Sequence, residues 1–423
     1  NVLAIALAVL LTVAFQPLFN HVIGKTLDLS ALFQTHVWLY GLGALFLGSL
    51  LSGAFTANAI ARYNPVETLR GKLTKSVSGL RLRQTLVVAQ FGISTVLILF
   101  TVVIYSQLKY MQNKELGINT EQLLVIRGPE IGRDSTYKFR KTGFGNAIAT
   151  QNFVQDYCAT GSVPSEGYNF ATAGFTSPKS KPNDEEKSYN FAIIGERFLD
   201  VYGLQLRAGR NFTGAECNIE WNDNSKILVN EKALTSLGLT AEEALTTKIK
   251  WDERYLDIVG VVKDYHHTSL QKPIEPILYY PQNNSAYFTV RLTANDLPAK
   301  ISAIEKIYGQ YFSGNPFEYF FADDNFQKAY LSEQQYSWLF VAASLWAIFI
   351  ACLGLFGLVS FTIESKVKEI GIRKVLGASV AGITGLLAKG FLKLVVVAII
   401  IASPVDYYFK QRWLSDFAYR IDF

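Results

Sequence analysis

The sequence predicts an α-helical transmembrane bundle with an extracytoplasmic α/β (α+β) domain inserted between two of its spans. Long apolar runs lie towards both ends of the chain, and a polar stretch of mixed strand and helix patterns separates them. The 423 residues are 50% hydrophobic and 18% charged, whereas soluble domains are roughly 25% charged. With a mean hydropathy of +0.18, this composition indicates membrane segments joined to a water-soluble domain.

Five apolar runs are candidates for membrane-spanning helices. They cover Val2–Leu18, Val37–Ile60, Gln84–Leu108, Trp338–Ile363 and Leu386–Phe409. A helix needs about 20 apolar residues to cross the hydrocarbon core, and the third and fourth runs contain no charged residue. The fifth carries two lysines near its start, whose side chains can extend to the interface. We therefore expect at least five spans.

The charges of the connecting loops predict the orientation of these spans. Basic residues outnumber acidic ones in two loops, the one between the second and third runs and the one between the fourth and fifth. These basic residues are Arg62, Arg70, Lys72, Lys75, Arg81 and Arg83 in the first loop, and Lys366, Lys368, Arg373 and Lys374 in the second. Because basic loops remain in the cytoplasm, residues 20–36 and 109–337 are predicted to lie outside. The net charge of +5 therefore reflects topology and does not indicate a nucleic-acid partner.

Residues 109–337 are predicted to form a folded α/β domain. Short apolar runs bounded by turn signals indicate strands, and helical spacing indicates helices. The strands are expected at Gln122–Arg127, Tyr189–Ile194, Lys226–Asn230, Tyr255–Val262, Ile277–Tyr280 and Tyr287–Leu292. The helices are expected at Glu231–Leu237 and Leu297–Tyr311. Since Asn325–Trp338 contains neither Gly nor Pro, we expect one continuous helix leading into the fourth span.

The loop that follows the fourth span carries the most informative pattern, from Glu364 to Ser379. As a helix, it would place Ile363, Val367 and Ile370 on one face. Its ion pairs at i,i+4 spacing would be Glu364–Lys368 and Glu369–Arg373. Gly377 can end this helix. The pattern predicts a short amphipathic helix at the cytoplasmic surface, which either only satisfies topology or docks a cytoplasmic partner.

Four segments of the chain resemble a known family. Lys368–Ala378 (KEIGIRKVLGA) resembles the signature of FtsX-like ABC transporter permeases, and Asn64–Gly71 (NPVETLRG) resembles the motif that follows the last span of each half. In the outer domain, Phe198–Phe212 and Val261–Leu270 are similar to the MacB-type periplasmic core domain of the two-half permeases common in Bacteroidetes. Together the matches touch nearly the whole chain, in the order found in the family.

The resemblance implies an order of domains in which this chain is a fragment of a two-half permease. A long internal repeat, in which Phe19 and Phe409 occupy similar places, indicates the same arrangement. The implied domains are 1–60, the last two transmembrane helices of the first FtsX-like half; 61–84, a basic cytoplasmic linker; 85–108, the first helix of the second half; 109–337, the MacB-type periplasmic core domain; 338–409, FtsX-like helices with a coupling helix at 364–378; and 410–423, the start of an outer loop that lacks the final span.

The same resemblance implies a function by mechanotransmission at the bacterial inner membrane. A separate cytoplasmic ABC ATPase subunit would bind ATP and move the spans and the periplasmic domain, so this chain would need no cofactor, metal or catalytic residue. The residues expected to couple to the ATPase are Glu364, Lys368, Glu369, Ile370, Gly371, Arg373 and Lys374. Export or extracytoplasmic handling of peptides, lipids or lipoproteins is implied, with contacts to membrane lipid. A periplasmic or outer-membrane partner stays open.

Two enzyme classes find little support in the residues. A phosphate-binding loop requires G-x-x-x-x-G-K-[ST], and Gly24–Thr26 matches only its end because position 19 is Phe. Asp264, His266 and His267 form a cluster of metal-ligand types. However, adjacent histidines in a strand point to opposite faces. We expect a strand-end turn with solvated side chains at this place.

Two other classes of membrane protein need weighing. A secondary transporter would have broken helices and buried charges near the midplane. Gln16, Pro17, Pro404 and Asp406 instead lie near the outer ends of their runs, where they suit helix termination. A membrane sensor or scaffold that regulates an extracytoplasmic partner remains the alternative, because receptors also carry outer domains between two spans.

The three cysteines, Cys158, Cys217 and Cys352, are too few for a disulfide framework. Cys352 lies in an apolar run. A disulfide between Cys158 and Cys217 outside the cell remains open from the sequence.

Overall fold

The computed structural model describes residues 2–23, 35–61 and 77–422. Two compact units emerge from the fold. The membrane unit comprises Asn1–Ser106 and Glu333–Arg412, and the outer unit comprises Gln107–Ser332 and Trp413–Phe423. The segments Gly24–Thr26 and Asn64–Gly71 lie outside the described residues, as does most of the first basic loop. The predictions made for them therefore stay predictions.

Five long helices account for the apolar runs. They are α1 (Val2–Ile23), α2 (Thr35–Ala61), α3 (Val77–Asn113), α10 (Leu331–Val375) and α11 (Val380–Leu414). Three stretches are long and apolar enough to cross a membrane, namely Arg83–Asn113, Leu331–Val375 and Val380–Leu414. Shorter apolar helical segments, Ala6–Asn20 and Leu39–Leu50, cover parts of the first two runs. The third, fourth and fifth predicted spans thus correspond to helices of spanning length, and the first two spans stay predictions.

Helices α3 and α10 pack directly against each other in the membrane unit. The rings of Phe100 and Phe340 meet edge to face at 5.0 Å, and one turn further the hydroxyls of Thr101 and Ser344 share a hydrogen bond of 3.0 Å. The side chain of Gln90 on α3 packs onto Gly354 of α10, where a Cβ would collide with it. Small residues and interhelical hydrogen bonds are typical of helix contacts within membranes.

The outer unit contains two sheets and six α-helices among its described residues. The strands are β1 (Leu123–Arg127), β2 (Val154–Thr160), β3 (Phe170–Thr172), β4 (Phe175–Thr176), β5 (Tyr189–Ile194), β6 (Leu206–Gly209), β7 (Lys226–Asn230), β8 (Lys248–Trp251), β9 (Arg254–Val262), β10 (Ile277–Pro281), β11 (Tyr287–Leu292) and β12 (Tyr319–Phe321). The helices between α3 and α10 are α4 (Tyr137–Ala149), α5 (Phe198–Val201), α6 (Glu231–Leu237), α7 (Ala241–Ala244), α8 (Leu297–Tyr311) and α9 (Ala322–Lys328), and two short 3₁₀ turns lie at Asp184–Glu186 and Glu216–Asn218.

One sheet is antiparallel, with the order β12-β1-β11-β2. The second sheet has eight strands in the order β3-β5-β10-β7-β9-β8-β4, with β6 paired to β9. It is mixed, because β5–β10 and β7–β9 are parallel pairs. All six strands and both helices predicted from the sequence are present, with bounds that differ by at most one residue.

The side chains of β1 alternate between two apolar cores, which explains why nearly all of its residues are apolar. Leu123 and Val125 face a core shared with the second sheet, whereas Leu124 and Ile126 face a core formed with α4 and α8. Strands covered on both faces have continuous apolar runs. A third core lies under α6 and α7 on the far face of the second sheet. The outer unit is therefore layered, with helices on the outside and two sheets packed between them.

The expected continuous helix over Asn325–Trp338 is wrong. Helix α9 ends at Lys328, and α10 begins at Leu331 after a turn at residues 329–330. The buried side chain of Tyr330 explains the break, because its hydroxyl accepts a hydrogen bond of 2.9 Å from the backbone N–H of Leu270. Reaching this donor requires the chain to leave the helical path, although no Gly or Pro marks the place.

The prediction that Pro17 and Pro404 lie at helix ends is also wrong. Both prolines are inside helices, since α1 continues to Ile23 and α11 to Leu414. Proline is tolerated within membrane helices because neighbouring groups can satisfy the freed backbone carbonyl. The carbonyl that Pro404 frees is that of Ile400, and next to it the Ser403 hydroxyl donates to the Ile399 carbonyl oxygen at 2.8 Å.

Candidate coupling segment

The predicted coupling residues lie on the last turns of α10. We call Ile363–Ala378 the coupling segment. The expectation of a separate short helix is wrong, because α10 runs without interruption from Leu331 to Val375. The sequence offers no Pro over this range, so the hydrogen-bond ladder of the span continues through the change from apolar to charged residues. All seven predicted coupling residues, Glu364, Lys368, Glu369, Ile370, Gly371, Arg373 and Lys374, therefore belong to one helix that also forms a span.

Local ion pairs order the charged side chains of this segment. Arg373 Nη2 lies 2.8 Å from Glu369 Oε1, which confirms one of the two predicted pairs. The other carboxylate oxygen of Glu369, Oε2, lies 4.0 Å from Lys366 Nζ. All three side chains are roughly half exposed. Exposed pairs of this kind contribute about 0.3–0.5 kcal/mol, so the helix does not depend on them for its stability.

The segment ends as the sequence predicts, at Gly377. Its φ of 89° lies in the left-handed region that favours glycine. The Gly377 N–H donates to the Lys374 carbonyl at 3.1 Å, and the Ala378 N–H donates to the Arg373 carbonyl at 3.0 Å. This pair of hydrogen bonds is the Schellman arrangement, which satisfies the last carbonyls of a helix. The chain then turns sharply into α11.

Beyond the charged turns, the end of the segment is apolar and uncovered. Ile372, Val375 and Leu376 are 63%, 88% and 81% exposed. Gly371 lies among them, and a Cβ at this position would meet no atom within 4 Å. An exposed glycine within a helix costs about 1 kcal/mol relative to alanine, and no packing inside the described chain requires it. A partner that approaches the helix backbone closely would account for both features.

The N-terminal end of α3 contributes a further basic side chain next to the coupling segment. The guanidinium of Arg83 lies 3.8 Å from the centre of the Phe361 ring, directly before the coupling segment. This cation–π contact joins α3 and α10 within the membrane unit. The predictions from charge and hydropathy gave both helices but not their contact.

The cluster at Asp264, His266 and His267 does not have the predicted solvated form. Both histidines are buried. His267 hydrogen-bonds through Nδ1 to the Tyr265 hydroxyl at 2.9 Å and through Nε2 to the Gly167 carbonyl at 2.8 Å. Burial lowers the pKa of each histidine to about 4, with nearby Lys114 adding to the effect at His266. Asp264 instead accepts a hydrogen bond from the Lys232 N–H, so the three side chains serve separate structural contacts.

Cys158 and Cys217 are buried free thiols. Burial raises the pKa of both, that of Cys217 to about 12. Because the thiolate is the reactive form of cysteine, neither side chain is activated for chemistry in this environment.

Sequence reasoning missed the contacts of the segment that follows α11. Gln107, which is fully buried, donates through Nε2 to the Tyr419 carbonyl at 2.7 Å and accepts from the Ile421 N–H at 3.0 Å. The Tyr419 ring also lies 4.0 Å from Lys114 Nζ and contacts His266 edge to face. These partners are more than 150 residues apart in the chain, so no local pattern could reveal them.

The fold and the coupling segment define a class of protein. Helices of spanning length, a large layered domain inserted between two of them and a charged helix end are features of a polytopic membrane protein with a folded domain outside the membrane.

Comparisons with known proteins show which proteins this chain resembles. Residues 341–423 match the family described as FtsX-like permease C-terminal. Macrolide export ATP-binding/permease protein MacB from Mannheimia succiniciproducens is 21% identical over 293 residues, covering 62% of this chain and 42% of its own length. The protein of the same name from Aggregatibacter actinomycetemcomitans is 22% identical over 287 residues, covering 64% and 42%. The chain thus spans less than half the length of these curated relatives.

Solved structures with similarity include the periplasmic region of MacB from Actinobacillus actinomycetemcomitans, at 16% identity and a TM-score of 0.34, covering 52% of this chain and 97% of that one. The extracellular domain of the noncanonic ABC-type transporter YknZ from Gram-positive bacteria shows 12% identity and a TM-score of 0.30, covering 47% and 99%. The family match and the relatives support the assignment of this chain to the FtsX/MacB-type ABC permeases. It is an inner-membrane protein with a periplasmic domain.

Proposed function

We propose that this chain transmits ATP-driven motion from a separate cytoplasmic ABC ATPase to the periplasmic outer unit. The observation that carries the proposal is the coupling segment, a charged helix end with an uncovered apolar tip. It falls within residues 341–423, the part that matches the FtsX-like permease family. Glu364, Lys368, Glu369, Ile370, Gly371, Arg373 and Lys374 are the residues proposed to contact the ATPase. ATP would be bound by that subunit, and this chain would carry no cofactor.

Chain connectivity supports transmission by helices. The chain passes between the membrane unit and the outer unit at residues 106–107, 332–333 and 412–413. Each of these positions is inside a helix, α3, α10 or α11. Because an α-helix resists bending through its continuous hydrogen-bond ladder, displacement of the coupling segment would be carried along α10. The exposed apolar side chains of α10 and α11, such as Leu345, Phe356 and Ile400, would contact lipid.

The substrates we propose are peptides, lipids or lipoproteins, handled on the outer side of the membrane. Spans α3 and α10 contain no charged residue between Gln84 and Leu108 or between Trp338 and Ile363. A path for ions through these helices would require such groups. Movement of the outer unit, rather than passage through these two helices, is therefore the expected mode of action.

Charge reversal at Glu369 tests the proposal. In the complex reconstituted with its ATPase, Glu369→Lys should abolish the ATP-dependent change in hydrogen exchange of the outer unit while ATP hydrolysis continues. The double swap Glu369→Arg with Arg373→Glu is the matched control, since it restores the ion pair within the helix but reverses the pattern that a partner meets. We expect the double swap to remain uncoupled. An unchanged ATP response in Glu369→Lys, or full rescue by the swap, would contradict the proposal and favour a sensor or scaffold.

A further inference from the structure

A cleft of about 450 Å³ lies in the outer unit, away from the coupling segment. One wall is α4, from Lys141 to Ala149, and the opposite wall includes Arg197 and Cys217. A second opening of about 340 Å³ shares Lys141 and Cys217 with the first. The two cavities are therefore adjacent parts of one groove beside α4, which no step of the proposed coupling uses.

The floor of this groove is the open edge of strand β2. In the sheet order β12-β1-β11-β2, this strand is terminal. Six consecutive residues, 154–159, line the cleft. Successive side chains of a strand point to opposite faces, so a cavity on one face would be lined by alternate residues only. Lining by consecutive residues indicates that the groove follows the strand edge, where backbone groups face it.

Hydrogen bonds identify the backbone groups at this edge. Gly161 N–H donates to the Ile193 carbonyl at 2.9 Å, and a Cβ on Gly195 would lie 2.8 Å from the Ala159 carbonyl oxygen. The backbone N–H and C=O groups of the odd-numbered residues in this part of β2 therefore point away from β11. Tyr157 N–H is bound by the neighbouring Asp156 carboxylate at 2.8 Å. By the same alternation, the Tyr157 carbonyl and the Ala159 N–H face the groove.

The charges beside the edge are unequal along the groove. Arg197 is neutralised by Asp156, with Nη2 to Oδ2 at 2.9 Å. Lys141 donates to the Asn283 carbonyl and has no carboxylate within ion-pair distance among the described residues. Burial and the nearby charge of Lys138 lower the pKa of Lys141, so an anionic group beside it would stabilise the charged form of Lys141. Glu196 and Glu220 lie in the opposite walls of the two openings.

We propose that this groove binds an extended peptide segment, which adds to β2 as a further strand and places an acidic side chain beside Lys141. An uncovered strand edge is a template for pairing with another chain, and folded proteins normally block it. In strand addition, main-chain hydrogen bonds supply affinity and flanking pockets supply selectivity. The walls favour a peptide over an acyl chain, because Lys141, Asn146, Asp156 and Arg197 surround the edge with polar groups. The inference is independent of ATPase coupling.

Peptide binding to the full chain in lipid nanodiscs tests this site without ATPase. The probes are two fluorescein-labelled pools of heptapeptides with Val, Ile, Thr or Tyr at the first six positions and Asp or Asn at the last. We expect saturable binding of the Asp pool. Asn146→Trp, which fills the groove from exposed α4, should weaken it by about tenfold or more, whereas Asn146→Ala should retain it.

Charge variants separate the acidic contact from the strand pairing. Lys141→Gln should reduce binding of the Asp pool to the level of the Asn pool, and Lys141→Arg should keep the difference. The proposal is overturned if neither pool binds saturably at millimolar concentration, or if Asn146→Trp and Asn146→Ala bind equally. Displacement by a lysophospholipid but not by unlabelled peptide would assign a lipid and overturn it as well.

Discussion

At the scale of single residues, His267 is the clearest case of a side chain whose role depends on burial. Its ring stacks on Tyr168 with centroids 4.4 Å apart, and both ring nitrogens have hydrogen-bond partners. The tautomer that fits has one N–H donating to the Gly167 carbonyl. The neutral form is therefore built into the fold, and protonation would place an unpaired charge in the core.

This arrangement predicts a dependence of stability on pH. The folded pKa of His267 is about 4, below the ordinary histidine value of 6.5, so the unfolded chain binds the proton more readily. The contribution of neutral His267 to the free energy of unfolding is fully present above pH 6.5 and is lost as the pH falls towards 4. At pH 5 the loss is about 2 kcal/mol. Hydrogen exchange of strand β10 should therefore accelerate between pH 7 and pH 5, after correction for the intrinsic rate.

The matched control is His267→Gln, which can still donate to the Gly167 carbonyl but does not titrate. The variant should be less stable than the parent at pH 7. Its hydrogen exchange in strand β10 should change less between pH 7 and pH 5. His266 contributes in the same direction because its pKa is also about 4. An equal pH response in the variant and the parent would contradict the role assigned to His267.

At the scale of elements, the turn between α9 and α10 decides where the long helix begins. Tyr330 is buried, and its hydroxyl satisfies the backbone N–H of Leu270. The N–H groups of Ala329 and Tyr330 donate to carbonyls three residues earlier, which closes α9 as a tight turn. A single aromatic side chain thus fixes both the end of one helix and the start of the next.

We predict that Tyr330→Phe leaves the Leu270 N–H buried without an acceptor, which costs about 1–3 kcal/mol. Amide hydrogen exchange in the segment around Leu270 should become faster, while amide hydrogen exchange in β10 should change less. Tyr336→Phe on α10, which follows the turn, is the control, because Tyr336 is exposed. If exchange around Leu270 is the same in both variants, the hydroxyl does not hold the turn.

Elements with a strong local pattern were predictable from the sequence. Strand β1 and helix α8 follow from periodicity, and the Glu369–Arg373 pair follows from i,i+4 spacing. The break at Tyr330 was not predictable, because its cause is a hydrogen bond to Leu270, 60 residues away. Likewise, the continuous run of α10 through Lys368 was missed, since a change in polarity resembles a helix boundary without being one.

At the scale of the whole molecule, the segment that follows α11 is held against the outer unit by Gln107. Its side-chain amide makes one hydrogen bond to Tyr419 and one to Ile421, and the Ala418 N–H donates to the Gln271 carbonyl at 3.0 Å. Gln107 lies on α3. The end of α3 and the segment after α11 are therefore tied to each other within the outer unit, which no sequence pattern indicated.

Gln107→Ala should release this segment, because two hydrogen bonds and a filled volume are lost together. We expect faster trypsin cleavage after Arg420 in the variant, measured by mass spectrometry of the native protein in nanodiscs. Gln271→Ala is the control, as its carbonyl contact with Ala418 uses the backbone and survives the change. Equal cleavage rates in parent and Gln107→Ala would mean that the remaining contacts hold the segment.

The central claim, that the coupling segment binds an ABC ATPase, is tested most directly by co-purification. The native protein would be isolated from its membrane in detergent with ATP hydrolysis trapped, and bound proteins would be identified by mass spectrometry. We predict that an ABC ATPase is recovered with the parent and is lost when Glu369 and Arg373 are both charge-reversed. Recovery of the same ATPase with the reversed variant, or of none with the parent, would contradict the account.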